Sequence, residues 1–370
     1  MADKQLQERR KLYFELSSKI ALIDNARLHS LFGESGAQSS YGRNHIITLG
    51  RSKVFVKRVP VTEIEYGNMF STRNLYDLPT HYNYGFGSAG LGVFRELVTH
   101  IKTTNWVLEG AIATFPLMYH YRIVPFGGVH EEVDLEGHAR YVEYWGSNAN
   151  VGRYMLDRAS AKYEMILFLE YIPHTVASWL AANPTRLPLV TADMHATVTF
   201  LRKNGILHLD AHSNNMVTDG KRVYLTDFGL ALDKEFELTP AEREFYRQHS
   251  YIDFGYLLWN LGFLLSDIYK GLPDDAKQRI SEICGISAGA GYEEVLLGLL
   301  DNYDKIAASG IMKLDRGYAA SLAKYRGVTT LLSDFYLKMR RNNAKDSRFD
   351  HARLLRLLKE TGFVPDPVSK

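Results

Sequence analysis

The chain has 370 residues, 46% apolar content and a formal net charge of +2. This length and apolar content are sufficient for a large core and favour two lobes or domains over one. A charge this close to zero gives no reason to expect nucleic acid or an anionic membrane as a partner.

Cysteine usage and the N-terminus bear on the compartment. Cys284 is the only cysteine, so no intrachain disulfide can form and a reducing compartment is the simplest interpretation. The N-terminal stretch MADKQLQERRKLYFEL is charged and lacks the apolar core of a signal peptide. The sequence has no run of about 18 apolar residues, so no membrane span is expected. These features predict a cytoplasmic globular protein.

The first half of the sequence predicts strands, with two inserted segments. A turn at 50–52 joins two apolar stretches that should form a β-hairpin. The segment 60–92 is predicted to be a loop or insertion, and 126–160 a second insertion or a long hairpin. The other predicted elements are a helix at 4–30, hairpin strands at 45–50 and 53–59, an amphipathic helix starting at 94–110, and strands at 117–125 and 164–172.

After Pro173 the pattern becomes helical. Apolar positions recur at helical spacing in 191–205, and YLLWNLGFLL (256–265) is predicted to be a buried helix too short to span a membrane. We therefore divide the chain into an N-terminal helical extension at 1–32, a strand-rich part at 33–172 and a helical part at 173–370.

One stretch between these helices carries the chemistry: GILHLDAHSNNMVTDGKRVYLTDFGLAL, residues 205–232. A turn at Asp219-Gly220 should form a small hairpin and return Asp227 toward Asn215. An aspartate and an asparagine offer oxygen ligands of the kind that Mg²⁺ binds together with phosphate oxygens. Asp210 would then orient a hydroxyl and accept its proton, which is close to all that phosphoryl transfer requires.

The same stretch resembles the protein kinase superfamily. HLDAHSNN (208–215) is similar to the family's catalytic loop, and DFG (227–229) matches its metal-binding motif, in the family's order and spacing. The resemblance implies that Asp210 is the catalytic base, that Asn215 and Asp227 are catalytic Mg²⁺ ligands, and that His208 is structural. It also implies an α+β, bilobal fold, with an antiparallel-sheet N-lobe and a mostly helical C-lobe.

The resemblance extends to a catalytic lysine and its partner. VFVKRV is similar to the family's lysine strand, which implies that Lys57 binds the phosphates of ATP. The family's carboxylate partner lies on the following helix, where Glu96 fits best. The open alternatives are Lys53 or Arg58 for the lysine, Glu63 or Glu65 for the carboxylate, and simple surface charges for both.

The nucleotide-binding elements match less closely. GAQSSYG (36–42) stands where the family has its glycine-rich loop, which implies phosphate contacts from Gly36, Ser39, Ser40 and Gly42. EYIP (170–173) corresponds to the hinge, so the backbone from Glu170 to Ile172 is expected to bind adenine. Asp253 matches the acid that bonds the catalytic loop in the family, with a helix N-cap as the alternative.

Departures from the family pattern leave the acceptor open. Leu209 replaces the usual arginine, His212 replaces a lysine, and no A-P-E follows the DFG motif. We expect an atypical, bacterial-type kinase that uses ATP and Mg²⁺ to phosphorylate a hydroxyl, with protein Ser/Thr as the leading acceptor. The alternatives are a small-molecule kinase similar to aminoglycoside and choline kinases, which His212 favours, and a pseudokinase that only binds.

Overall fold

The computed structural model describes residues 2–32, 37–39, 42–85, 87–130, 132–341 and 348–365. The fold is mixed α+β. The chain forms two compact units. The first unit comprises Met1–Pro173, Phe200–Asp210 and Tyr224–Tyr246, and the second comprises His174–Thr199, Ala211–Val223 and Arg247–Lys370. The first unit therefore includes two segments that follow Pro173 in the sequence.

The first unit contains an antiparallel five-stranded sheet in the order β1-β2-β3-β5-β4. The predicted hairpin is present, because Leu49 pairs with Ser52 across a turn in which Gly50 has a φ of +65°. The strands are β1 (Ala37–Ser39), β2 (Gly42–Leu49), β3 (Ser52–Val61), β4 (Met118–Pro125) and β5 (Tyr163–Glu170).

Helices of the first unit pack beside this sheet. The predicted helix at 4–30 is two helices, α1 (Ala2–Ala21) and α2 (Asn25–Ser30). Next come α3 (Glu63–Gly67) and α4 (Val93–Glu109). Phe94 and Leu97 of α4 are buried in one hydrophobic cluster with residues of β3 and β5, so the helix is anchored through its apolar face.

The two inserted segments form one aromatic cluster. The first holds α3 and a 3₁₀ turn at Thr80–Tyr84, and the second forms α5 (Leu135–Tyr144) and α6 (Ala149–Ala159). The prediction of a long hairpin for 126–160 is therefore wrong. Asp134 and Asn148 accept backbone N–H groups at the starts of the two helices, which favours helix over strand. The buried residues are Tyr76, Leu78, Tyr82, Leu91, Trp145, Val151 and Tyr154.

Short elements follow Pro173. β6 pairs with β8 in the second unit, and β7 pairs with β10 in the first. Strands flank the predicted turn, where Gly220 has a φ of +83°. The elements are β6 (His174–Thr175), α7 (Val176–Ala182), a 3₁₀ turn (Pro184–Arg186), α8 (Leu187–Lys203), β7 (Ile206–Leu207), β8 (Met216–Thr218), β9 (Val223–Leu225), β10 (Leu232–Asp233) and α9 (Pro240–Gln248).

Helices build the core of the second unit. The predicted buried helix is α10, where the Trp259 ring stacks on Tyr336 at 4.6 Å and its indole N–H donates to Ser333. In the described part of the chain, no helix combines the length and the apolar character needed to cross a membrane. The helices are α10 (Ile252–Lys270), α11 (Asp274–Cys284), α12 (Tyr292–Asp301), α13 (Tyr303–Ser309), α14 (Arg316–Arg341) and α15 (His351–Glu360).

Candidate functional site

Lys57 lies between two carboxylates of the first unit. Alternation along β3 buries Val54 and Val56 completely, while Lys57 keeps 14% of its side chain exposed. Its Nζ donates to Oε1 of Glu96 at 2.7 Å and to Oδ1 of Asp227 at 2.8 Å. The structure thus brings together three residues that the sequence separates widely.

Glu96 projects from the first turn of α4 and is only 5% exposed at its side chain. Nε2 of His100, one helical turn later, lies 3.8 Å from the same Oε1. At the start of the helix, the N–H of Val93 donates to Oε1 of Glu65 at 3.0 Å. A carboxylate at this end of a helix is favoured by the exposed N–H groups and the helix dipole, so Glu65 stabilises the helix that carries Glu96.

The alternatives that the sequence left open have other partners. Arg58 forms a buried, two-bond ion pair with Glu164, at 2.7 and 2.8 Å. The remaining two are Lys53, whose Nζ lies 5.3 Å above the Tyr171 ring, and Glu63, which pairs with exposed Lys162. The pairing predicted for Lys57 with Glu96 is therefore the one that the structure contains.

The three charges stabilise one another. Burial opposes the charged form of each group, but Asp227 and Glu96 raise the pKa of Lys57 above its ordinary value. Burial likewise opposes ionisation of both acids, and Lys57 nevertheless lowers the pKa of Glu96 and of Asp227. All three groups are therefore ionised at neutral pH, which provides a fixed cation flanked by two anions.

Asp227 sits at a strained backbone position. Its φ is +63°, a value that residues other than glycine rarely adopt. The following Phe228 is fully buried and makes edge contacts with the rings of His100, Phe115 and His208. Burial of this phenyl ring offsets the strain and turns the Asp227 carboxylate toward Lys57.

Asp210 lies beside a histidine that connects two loops. The N–H of Asp210 donates to Nδ1 of His208 at 3.3 Å, and Nε2 of His208 donates to the carbonyl of Thr226 at 3.0 Å. These contacts require a neutral imidazole protonated at Nε2. Leu209 between them is 1% exposed and has a φ of +63°. His208 therefore ties the Asp210 loop to the segment that leads into Asp227.

Asn215 belongs to the second unit, where its N–H donates to the carbonyl of His212 at 2.9 Å. The sequence analysis missed Asn260, which holds this loop from α10. Its Oδ1 accepts the N–H of Ser213 at 2.8 Å, and its Nδ2 donates to the carbonyl of Ala211 at 3.0 Å. An asparagine inside an otherwise apolar helix was the available signal, because such a group needs polar partners.

Asp253 does not fit the alternative role of helix N-cap. The N-cap of α10 is Tyr251, and Asp253 is the second residue inside the helix, 4% exposed.

The expected nucleotide-binding residues are described in part. Gly36 and Ser40 lie outside the described residues, while Ser39 and Gly42 are strand partners of β1 and β2. Ile172 is half-buried just after β5.

Glu170 is engaged by a residue that the sequence analysis missed. Arg9 of α1 donates to its two carboxylate oxygens at 3.0 and 2.7 Å. The backbone N–H of Glu170 donates to the carbonyl of Leu117 at 2.7 Å. This N–H belongs to the sheet and does not contribute to an adenine-binding edge.

A glycine-rich loop of the first insertion lies against the candidate site. A Cβ added to Gly90 would meet the Gly229 carbonyl oxygen at 2.1 Å, and one added to Gly85 would lie 3.3 Å from Oδ1 of Asp210. Both glycines have positive φ, so a side chain is disfavoured there on two grounds. The hydroxyl of Tyr141 donates to the carbonyl of Gly87 at 2.7 Å and fixes the loop.

The donor set suits a weakly held, oxygen-liganded cation. Among the described residues, no three His, Cys, Asp or Glu side chains form a group that could hold a metal alone. The contacts of Asp227 in the described chain engage Oδ1, and 43% of its side chain is exposed, so Oδ2 can face a ligand. A single carboxylate oxygen fits Mg²⁺, which keeps waters and substrate phosphates as its other ligands.

Comparison of the chain with models of known protein families found no match, and no curated protein matches it. The functional argument therefore depends on the residues and their geometry.

Proposed function

We propose that the protein is an ATP- and Mg²⁺-dependent phosphotransferase with a bilobal, kinase-like fold. The observation that carries the proposal is the constellation of Lys57, Glu96 and Asp227, with contacts of 2.7 and 2.8 Å. A buried cation held between two acids, next to an exposed carboxylate oxygen, suits a triphosphate accompanied by a divalent cation.

Each residue has a distinct role in the proposed reaction. Lys57 binds phosphate oxygens, and Glu96 keeps its amine in place. Asp227 and Asn215 are the Mg²⁺ ligands, and the bound ion would neutralise charge on the phosphates. Asp210 orients the acceptor hydroxyl and accepts its proton, while the His208 contacts position the Asp210 backbone.

The leading acceptor is a serine or threonine hydroxyl of a protein. The second candidate is a small molecule with a hydroxyl group, and one observation favours it. Gly85 lies against Asp210 and Gly90 against Gly229, so the inserted loop restricts the space beside the proposed base. His212 in place of a lysine points in the same direction.

The test is ATP consumption with Mg²⁺ in the presence of protein acceptors, or of a panel of sugars, aminoglycosides and choline. Phosphate transfer to protein, located on Ser or Thr by mass spectrometry, supports the first acceptor. Turnover with one small molecule alone supports the second. Nucleotide binding without turnover for any acceptor would contradict the proposed activity and favour a pseudokinase. Asp210→Ala serves as the matched inactive control.

A further inference from the structure

A second buried ion contact lies beside the candidate site. Nη1 of Arg95 is 2.7 Å from Oε1 of Glu242, and the side chains are 2% and 0% exposed. Arg95 lies on α4 and Glu242 on α9, within the first unit. Arg95 also donates from Nε to the carbonyl of Thr72 at 2.7 Å. The contact therefore joins α4 both to the first insertion and to the segment after the DFG motif.

Glu242 is itself rigidly held. Its Oε2 accepts the N–H of Thr239 at 2.9 Å, and its own N–H donates to the Thr239 hydroxyl at 3.2 Å. This reciprocal pair is a capping box at the start of α9. One carboxylate oxygen thus caps a helix while the other faces Arg95, so the Glu242 side chain cannot move independently of α9.

Arg95 directly precedes Glu96, the residue that contacts Lys57. A rotation or translation of α4 that withdrew Glu96 from Lys57 would also pull Arg95 away from Glu242. Two turns later, Lys102 donates to Asp233 at 2.6 Å and to Glu235 at 2.8 Å. The helix is thereby attached at two points to the segment 233–242.

We propose that Arg95 and Glu242 are positioning residues that hold α4 with Glu96 against Lys57. The catalytic consequence rests on the proposed function; the structural constraint on α4 does not. Glu242 is a permanent carboxylate, so it supplies the negative charge for Arg95 without any modification. Removing one partner leaves the other buried and uncompensated, which favours displacement of α4.

The first experiment is a double-mutant cycle on phosphoryl transfer at saturating ATP. Glu242→Gln is expected to lower kcat by about tenfold or more in the otherwise unchanged protein. In the Glu96→Gln background the same change should have an effect below about twofold, because its route of action is already lost. Losses that multiply fully in the double variant would overturn the proposal.

The second experiment needs no catalytic turnover. Hydrogen–deuterium exchange of the α4 amides is compared between the wild-type protein, Glu242→Gln and Arg95→Met, and faster exchange is expected in both variants. Arg95→Lys keeps the charge and should exchange more slowly than Arg95→Met, which also provides a variant if Arg95→Met fails to fold. Unchanged exchange in α4 of folded Glu242→Gln would overturn the proposal, even if the protein proved to have no kinase activity.

Two control variants separate positioning from general destabilisation. Glu293→Gln removes a buried carboxylate of the second unit, 4% exposed and 2.9 Å from Arg340. It should lower the melting temperature while leaving α4 exchange unchanged. Glu237→Gln removes an exposed carboxylate, 64% exposed, from the same segment as Glu242 and should change neither. Acceleration of α4 exchange by Glu293→Gln to the same extent as by Glu242→Gln would contradict a specific role.

Discussion

Lys57 and Glu96 are 39 residues apart in sequence, and their side chains meet at 2.7 Å. The strand that carries Lys57 and the helix that carries Glu96 share one hydrophobic cluster, so packing of apolar neighbours sets this distance. The cation also contacts Asp227, which links three chain segments through one amine.

Lys57→Met should lower phosphoryl transfer by orders of magnitude, and Glu96→Gln should lower it less. The amine contacts phosphate directly in the proposed reaction, whereas the glutamate only positions the amine. The measurement is kcat/KM for ATP, with Lys53→Met as the control from the same strand, because the Lys53 residue is exposed. If Lys53→Met is the damaging change, the assignment of the phosphate-binding lysine is wrong.

Asp227→Ala should abolish Mg²⁺-dependent nucleotide binding. The change removes one of the few protein ligands of the cation, so the charge of the triphosphate is left uncompensated. Calorimetric titration of ATP with and without Mg²⁺ measures this directly. Asp304→Ala, at an aspartate with 81% of its side chain exposed, is the control. Identical Mg²⁺ dependence in Asp227→Ala and wild type would argue against the metal site.

Asp210→Ala should abolish transfer and leave nucleotide binding intact. Asp210 acts on the acceptor hydroxyl in the proposed reaction and does not hold ATP. Nucleotide affinity and turnover are measured on the same preparation, with a thermal melt to establish that the variant is folded. Loss of nucleotide affinity in a folded Asp210→Ala protein would rule out this role.

The protein should be active without phosphorylation of the segment between Gly229 and Asp253. The position that carries an arginine in the kinase pattern is Leu209, which is apolar, buried and unable to pair with a phosphate. Protein stripped by a phosphatase should therefore retain its activity. The same is expected of the single variants Thr239→Ala, Tyr246→Phe, Ser250→Ala and Tyr251→Phe.

One of these variants requires a stability measurement as well. The Thr239 hydroxyl caps α9, so Thr239→Ala should cost about 1 kcal/mol of stability without abolishing turnover. A phosphatase-treated protein that folds and binds nucleotide but transfers no phosphate would refute the prediction.

Stability should fall as the pH drops from about 6.5 toward 4. Burial lowers the pKa of His351 from 6.5 to about 4, with Asp350 opposing the shift. The unfolded chain therefore takes up a proton in this range while the folded protein does not, and stability is lost until both states are protonated. Urea unfolding at several pH values should show a smaller decline for His351→Gln. His174→Gln, at an exposed histidine, should match the wild type.

Local patterns determined several elements from the sequence. Alternating apolar residues and the turn at Gly50 were sufficient for the hairpin of β2 and β3. Helical spacing identified α4 and the buried α10. The insertion at 126–160 was harder to predict because its apolar residues are few and partly buried, and α5 contains no fully buried residue. Its helices are held by the aromatic cluster that they share with the first insertion, which no local pattern reveals.

The order and spacing of Asp210, Asn215 and Asp227 determined which residues are candidates for chemistry, because a motif is local in sequence. Only the tertiary structure decided which carboxylate meets Lys57, since Glu63, Glu65 and Glu96 were all available in the sequence. The contact of Arg95 with Glu242 was equally invisible, because neither residue belongs to a motif. Such contacts depend on how helices pack across long sequence separations, and residue type alone does not encode that geometry.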